Sequence, residues 1–139
     1  QTAQYPIAAI SDGLPFRNSL LACLDSSLWP VELTVGLLNS SMIRWLHYMS
    51  FRDARQPVMP QVKLSHLRSI PIPEDAFKHS RTTIIEIVRD LSHSDLSHAD
   101  QLKNHLDITV FDAYDLAPQE RSTIIEWRAK ITKKQHTRR

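Results

Sequence analysis

The sequence is poor in glycine and cysteine, and each shortage excludes a kind of chemistry. Gly13 and Gly36 are the only glycines among 139 residues, so neither a phosphate-binding glycine loop nor a dinucleotide-binding turn can be built. Cys23 is the single cysteine, which excludes an internal disulfide and makes a reducing cytoplasm the expected compartment. Cys23 lies in an apolar run without a local catalytic partner, and we predict that it is a small buried residue rather than a nucleophile.

Long hydrophobic runs are also missing. No apolar segment approaches the roughly 18 to 20 residues that a membrane-spanning helix needs, and the N-terminus lacks the layout of a signal peptide. We therefore expect a soluble, cytoplasmic protein without a membrane partner. The apolar share of 42% in 139 residues suits one hydrophobic core. The chain begins at Gln1, directly before a predicted strand, and we expect it to be a fragment of a longer polypeptide.

The sequence contains seven histidines but no spacing typical of a metal site. No cysteine pair, His-Glu-x-x-His motif or clustered carboxylate accompanies them, so we predict solvated histidines and no bound metal. Neighbouring carboxylates are likewise interpreted as solvated helix positions, because nothing apolar is placed to raise their pKa values. We predict no catalytic residues, no small-molecule substrate and no cofactor within this chain.

Charge is distributed unevenly along the chain. Residues 1–73 contain six basic and four acidic residues. Residues 74–129 contain six basic and eleven acidic residues, and the last ten residues add five basic residues. Residues 37–73 contain five basic residues and a single acidic residue, Asp53. Because the middle of the chain would repel phosphate, a nucleic-acid contact must lie in the first range.

Local patterns predict an α+β fold. Residues 5–10 and 16–24 read as two strands joined by a turn at Gly13. Pro30 opens a long helix, whose apolar stripe continues to Met49. Three further helices are predicted around residues 77–91, 97–110 and 118–131, from apolar spacing, a capping-box-like start at Ser97 and Pro118 followed by Glu120. The expected architecture is a small N-terminal sheet with a long helix, a recognition loop and a C-terminal helical cluster.

These patterns divide the chain into three parts. Residues 1–73 form a region with the two predicted strands, the long helix and the basic loop, residues 74–132 a helical region that packs on it, and residues 133–139 a basic mobile tail.

The basic segment before Pro73 has side chains suited to reading duplex DNA. Arginine and glutamine make bidentate contacts with guanine and adenine edges, and two prolines stiffen the loop that carries them. We expect base contacts from Arg52, Arg55, Gln56 or Gln61 and phosphate contacts from Arg44, Lys63 or Arg68. The complete set of candidate DNA-binding residues is Arg17, Asn18, Arg44, His47, Arg52, Arg55, Gln56, Gln61, Lys63, His66 and Arg68.

Four motifs, in their order, resemble one protein family. Leu38-Asn39-Ser40 is followed by a basic loop and then by residues 67–73, which read LRSIPIP. Residues 106–120 add a Leu-Asp, Val, Tyr-Asp-Leu and Glu pattern, and residues 16–19 read Phe-Arg-Asn-Ser. This order is similar to the C-terminal target-recognition domain of adenine-specific DNA methyltransferases of Type II restriction-modification systems, including fused enzymes that also carry an endonuclease. The resemblance covers roughly residues 5–127, and it implies that residues 1–73 are a target-recognition region.

The resemblance implies a sequence-specific module that binds double-stranded DNA and positions a target adenine. In that family a catalytic domain of the same parent chain transfers the methyl group from S-adenosylmethionine. The Asn/Asp-Pro-Pro-Tyr/Phe motif and the glycine motif of that domain do not occur in this sequence. The expected fragment is therefore not an enzyme, although its parent would be. A protein-interaction module and an RNA-binding module without DNA sequence specificity are the alternatives, and exposed aromatic platforms would favour RNA.

Overall fold

A computed structural model describes residues 3–11, 13 and 20–136, with the backbone alone for residues 74, 76 and 133–136. Within these residues the chain folds into helices joined by short loops. The helices are α1 (Val31–Asn39), α2 (Ser41–Ser50), α3 (Leu64–Arg68), α4 (Glu74–Leu91), α5 (Leu96–Ala113) and α6 (Pro118–His136), and a 3₁₀ turn covers Arg52–Arg55.

The predicted N-terminal sheet is wrong, because the described part of the chain contains no β-strand and is all-α. Residues 6–11 have no regular secondary structure, and Ala8 pairs with a side chain instead of a strand. The Asn39 amide donates to the Ala8 carbonyl at 2.7 Å and accepts from the Ala8 N–H at 3.1 Å. Residues 20–24 are irregular, and the rest of the second predicted strand lies outside the described residues.

The long helix predicted from Pro30 is two helices that break at Ser40. Ser40 has an extended ψ of 148°, and its hydroxyl oxygen accepts a hydrogen bond from the N–H of Ile43, so it caps α2. Asn39 anchors the N-terminal segment, and the Leu-Asn-Ser motif thus ends one helix and begins the next. The apolar stripe continues across the break, but Met49 at its end is 48% exposed.

One hydrophobic core joins the two halves of the chain. Leu33 and Leu37 of α1 and Ile43 of α2 pack in the same cluster as residues of the three C-terminal helices. Those residues include Phe77, Ile84, Leu106, Val110, Phe111 and Ile124. The N-terminal helices therefore do not have a core separate from that of the C-terminal helices, within the part of the chain that is described.

Gly36 permits the close packing of α1 on α4. A methyl group added at Gly36 would lie 2.5 Å from the Ile84 Cγ2 and 3.1 Å from the Val88 Cγ2. Both contacts are shorter than ordinary van der Waals separation. The absence of a side chain at this position is what lets the two helices approach.

The three predicted C-terminal helices are confirmed, with corrected starts. Asp95 rather than Ser97 caps α5, because its carboxylate accepts from the N–H of His98 at 2.8 Å. Pro118 opens α6 as predicted, and Glu120 reaches back to the N–H of Ala117 at 2.8 Å. The α6 backbone continues to His136, into the predicted tail, and residues 137–139 lie outside the description.

Cys23 is exposed, not buried as predicted. It lies in the irregular segment before α1, where Leu24 is 92% exposed as well. None of the described helices combines the length and the apolar character needed to cross a membrane.

Candidate functional site: a basic loop closed at its neck

We call residues 51–68 the recognition loop. The loop begins directly after α2, contains the 3₁₀ turn and ends with α3. Asp53 ties the outgoing and returning chains together in two ways. Its carbonyl accepts from the N–H of Gln61 at 3.1 Å, and its carboxylate lies 2.6 Å from the Lys63 Nζ. These contacts, together with His66 and Phe51, form what we call the neck.

Aromatic stacking closes the neck from the other side. The Phe51 ring stacks on the His66 ring, with centroids 4.0 Å apart and planes inclined by 8°. Ala54 on the outgoing chain and Val62 on the returning chain are both buried. The neck is therefore packed as a small core, and it orders a loop that has no regular structure between residues 56 and 63.

His47 and His66, both candidate DNA-binding residues, lie inside the protein. They are 0% and 6% exposed. The His47 Nε2 and the His66 Nδ1 are 3.2 Å apart, so one ring donates to the other. The outer nitrogens face the Gln4 carbonyl at 3.3 Å and the Asp53 carboxylate at 3.5 Å. The prediction of solvated histidines is wrong for this pair, which stabilises the loop from within.

The surroundings of the pair disfavour its protonation. Burial lowers the pKa of His47, which the Gln4 carbonyl partly offsets, and the nearby His66 lowers it further. Burial also lowers the pKa of His66, against the opposing effect of Asp53. The hydrogen bond from Lys63 is the main cause of the lowered pKa of Asp53. The lowered pKa values disfavour protonation of both rings at once, and Asp53 is ionised at neutral pH.

Three candidate residues on the recognition loop have unengaged side chains. Arg52, Gln61 and Arg68 are exposed, and no described residue forms a side-chain hydrogen bond or ion pair with them. Arg52 leaves the neck on the outgoing chain, while Gln61 and Arg68 lie on the returning chain. Their donors and charges remain available to a ligand from solvent.

Three other candidates are exposed but already have contacts. Arg55 folds back over the end of α2, and its Nη1 donates to the Met49 carbonyl at 2.7 Å, as suits a cation at a helix C-terminus. The Gln56 amide lies 3.5 Å from the Asp53 carboxylate. Lys63 is 48% exposed, but its charge is paired with Asp53. Arg55 retains a charge that no described carboxylate neutralises.

Arg44 does not belong to this surface. Arg44 packs over the Tyr5 ring at 5.2 Å and donates to the Pro6 carbonyl at 3.2 Å and the Asn39 side-chain oxygen at 2.7 Å. It holds the N-terminal segment against α2. Arg17 and Asn18 lie outside the described residues.

The sequence reading missed the residues that organise this surface. In the sequence, Asp53 indicates only a negative charge, and nothing marks Phe51 as part of a contact surface. The signal that could have found them is the combination of one acid among basic residues with an aromatic residue directly after a helix. The pairing of Asp53 with a lysine ten positions later is a tertiary contact that local spacing does not reveal.

The two segments that carry the family resemblance meet in the structure. The Tyr114 hydroxyl donates to the Pro71 carbonyl at 2.8 Å, which joins the LRSIPIP segment to the Tyr-Asp-Leu segment. Burial raises the pKa of Tyr114 to about 12, so the hydroxyl remains protonated and able to donate. This contact fixes the exit of the recognition loop against α5.

Gly13 and Gly36 do not form a glycine motif of the kind that the family uses for S-adenosylmethionine. Gly36 is used to pack α1 on α4, and Gly13 stands alone in a loop with a φ of +83° and no heavy atom near an added Cβ. No glycine-lined cradle is therefore built around a ligand. No group of three or more potential metal ligands comes together among the described residues.

Comparisons with protein-family models, curated proteins and solved structures find no match for this chain.

Proposed function

We propose that this chain is a target-recognition module that binds duplex DNA through the recognition loop. The observation that carries the proposal is the loop itself, in which exposed arginines and glutamines project from a neck packed like a core. Arg52, Arg55 and Arg68 are not paired with described carboxylates, so their charge can attract phosphate. Gln56 and Gln61 supply the amides that pair with adenine edges.

The packing of the neck favours DNA reading over a merely solvated basic surface. Sequence discrimination needs side chains held in register with the bases, and an ordered loop loses less conformational entropy on binding. Lys63 and His66 are committed to Asp53. The same contacts that remove them from the surface therefore order their neighbours for binding.

In keeping with the resemblance to adenine methyltransferases, the module would present a target adenine to a methyltransferase domain of the same parent chain. S-adenosylmethionine would bind to that domain, where the family carries its glycine motif and its Asn/Asp-Pro-Pro-Tyr/Phe motif. Methyl transfer and any DNA cleavage would thus require residues outside this sequence. The role proposed for the chain is to select the site.

The first test of the proposal measures affinity with a charge-matched control. Fluorescence anisotropy with random-sequence duplex DNA compares the Arg52→Ala/Arg68→Ala variant with Lys78→Ala/Lys103→Ala, in which the two lysines are exposed and lie on α4 and α5. Two lost phosphate contacts reduce the slope of log affinity against log salt by about 2. We expect that reduction from the arginine variant alone. Equal effects from both variants would contradict a local contact surface.

The second test concerns sequence discrimination. The chain is used to select duplexes from a random library, and the enriched sequence is compared with that selected by Gln56→Ala/Gln61→Ala. Loss of a bidentate base contact costs about 1 to 3 kcal/mol of discrimination, so the variant should enrich a more degenerate sequence while keeping its salt dependence. Wild-type binding without any enrichment, or equal binding to single-stranded RNA, would favour the alternative modules.

A further inference from the structure

The outermost turn of the recognition loop is apolar, although its neighbours are basic and polar. Val58 and Met59 are 75% and 61% exposed, and they lie between Pro57 and Pro60. We call these four residues the tip. Two adjacent apolar side chains in water are unfavourable, and neither takes part in the hydrophobic core of the protein.

The backbone of the tip is held in an unusual conformation. Met59 has a φ of +56°, in the left-handed region that residues with a side chain rarely adopt. Prolines on both sides restrict the backbone further. The neck supports this conformation from below, through the Asp53 carbonyl contact with Gln61 and the Lys63 ion pair. The tip is thus a stiff apolar projection and not a loose loop.

The charge of the residues around the tip indicates which ligand the tip would contact. Arg52 and Arg55 lie before the tip and Arg68 after it, and no described carboxylate neutralises them. A polyanion attracted by these arginines would be drawn against the tip. Apolar side chains cannot contact phosphate or the polar base edges favourably. They can enter between stacked base pairs, where methionine and other apolar residues act as wedges in proteins that kink DNA.

We propose that Val58 and Met59 form a wedge that enters a base step of duplex DNA and partly unstacks it. This proposal rests on the proposed function, and it adds a second role to the recognition loop. The arginines and glutamines hold the duplex, while the tip deforms it. An unstacked step lowers the energy needed to extrude a neighbouring base, which enzymes acting on a base inside a duplex require.

The test measures the twist of DNA, which falls when a side chain separates two base pairs. A closed-circular plasmid is relaxed by topoisomerase I in the presence of the chain, and its linking number is then read on a gel. The Val58→Ser/Met59→Gly variant removes both apolar side chains, and glycine accepts a positive φ without strain, so the fold is kept. Anisotropy measurements set both proteins to equal DNA occupancy, and circular dichroism confirms their helix content.

We expect wild-type protein to lower the linking number, the serine-glycine variant to lose this shift, and a Val58→Ile/Met59→Leu variant to retain it. A serine-glycine variant that unwinds DNA as well as wild type would overturn the wedge. So would wild-type protein that binds DNA without any shift, which would leave the proposed function standing and assign the tip to another contact. If wild-type protein does not bind DNA at all, the proposed function fails first and the wedge fails with it.

Discussion

At the scale of single residues, Asp53 explains how a basic loop can be ordered. Its carboxylate meets Lys63 and His66 while its carbonyl receives the Gln61 N–H. One acidic residue therefore neutralises part of the charge of the loop and also closes its neck. The arginines that remain have no such partner among the described residues, and this difference separates structural cations from those available to a ligand.

The buried histidine pair predicts that acid destabilises the protein. The pKa values of His47 and His66 are lowered in the folded state, while in the unfolded chain they are near the ordinary 6.5 or so. Below that pH the unfolded state binds more protons, so the free energy of unfolding decreases as pH falls further. The Asp53 pKa is also lowered, but its contribution is lost only below its ordinary value of about 4.

Urea unfolding at pH 7.5 and 5.5 measures this effect. The His47→Gln variant keeps a polar side chain but cannot be protonated, and its stability should decrease less between the two pH values than that of wild type. His79→Gln is the matched control, since His79 is exposed on α4. It should retain the wild-type dependence. Equal pH dependence in wild type and His47→Gln would show that the pair does not govern acid sensitivity.

At the scale of the elements, the C-terminal helices were predictable because their signals are local. Apolar spacing, a proline at Pro118 and an acid at Glu120 all lie within a single helix. The sheet was mispredicted because a short apolar run only indicates extended backbone. Whether that backbone pairs with a strand depends on distant residues, and here Asn39 takes the place of a partner strand.

The recognition loop shows the same limit. The exposure of Arg52, Gln61 and Arg68 could be predicted from side-chain chemistry, since arginine and glutamine are usually exposed. The burial of His47 could not be predicted in this way, because its partner His66 lies 19 residues away. A local pattern identifies which chemistry a segment carries, but tertiary packing decides which of its side chains reach the surface.

The contact between α1 and α4 predicts that Gly36→Ala destabilises the fold. Alanine improves helix propensity by about 1 kcal/mol, but the added methyl group would lie 2.5 Å from the Ile84 Cγ2. Ile84 is fully buried, so it cannot move into solvent, and overpacking of this kind costs about 1 to 3 kcal/mol. We expect a net loss of stability in chemical denaturation.

A double-mutant cycle with Ile84→Ala tests the cause. Ile84→Ala alone leaves a cavity that costs about 2 to 5 kcal/mol. Because the new methyl group can enter that cavity, Gly36→Ala/Ile84→Ala should cost less than the sum of the single changes. Strict additivity would mean that the close approach at Gly36 does not limit the packing of α1 on α4.

At the scale of the whole molecule, Asp107 connects three helices. It lies on α5 and is 6% exposed. Its carboxylate accepts from the N–H and the hydroxyl of Ser41, at the start of α2, at 2.7 and 2.6 Å. It also accepts from the Arg128 Nη1 of α6 at 2.6 Å. The helix that leads into the recognition loop is thereby fastened to the C-terminal half of the protein.

Asp107→Ala should therefore destabilise the whole molecule and not one helix end. The substitution leaves the N–H and hydroxyl of Ser41 without their acceptor, and removing one partner of a buried ion pair costs about 3 to 5 kcal/mol. The Arg128 side chain is 41% exposed, so its guanidinium can be hydrated after the substitution, and we expect a loss of about 2 to 3 kcal/mol.

The control is Asp100→Ala on the same helix, whose ion pair with Lys103 is exposed and contributes about 0.5 kcal/mol or less. In urea unfolding followed by circular dichroism and by tryptophan fluorescence, Asp107→Ala should shift both signals together. A loss no larger than that of the control would show that Asp107 does not join the two halves.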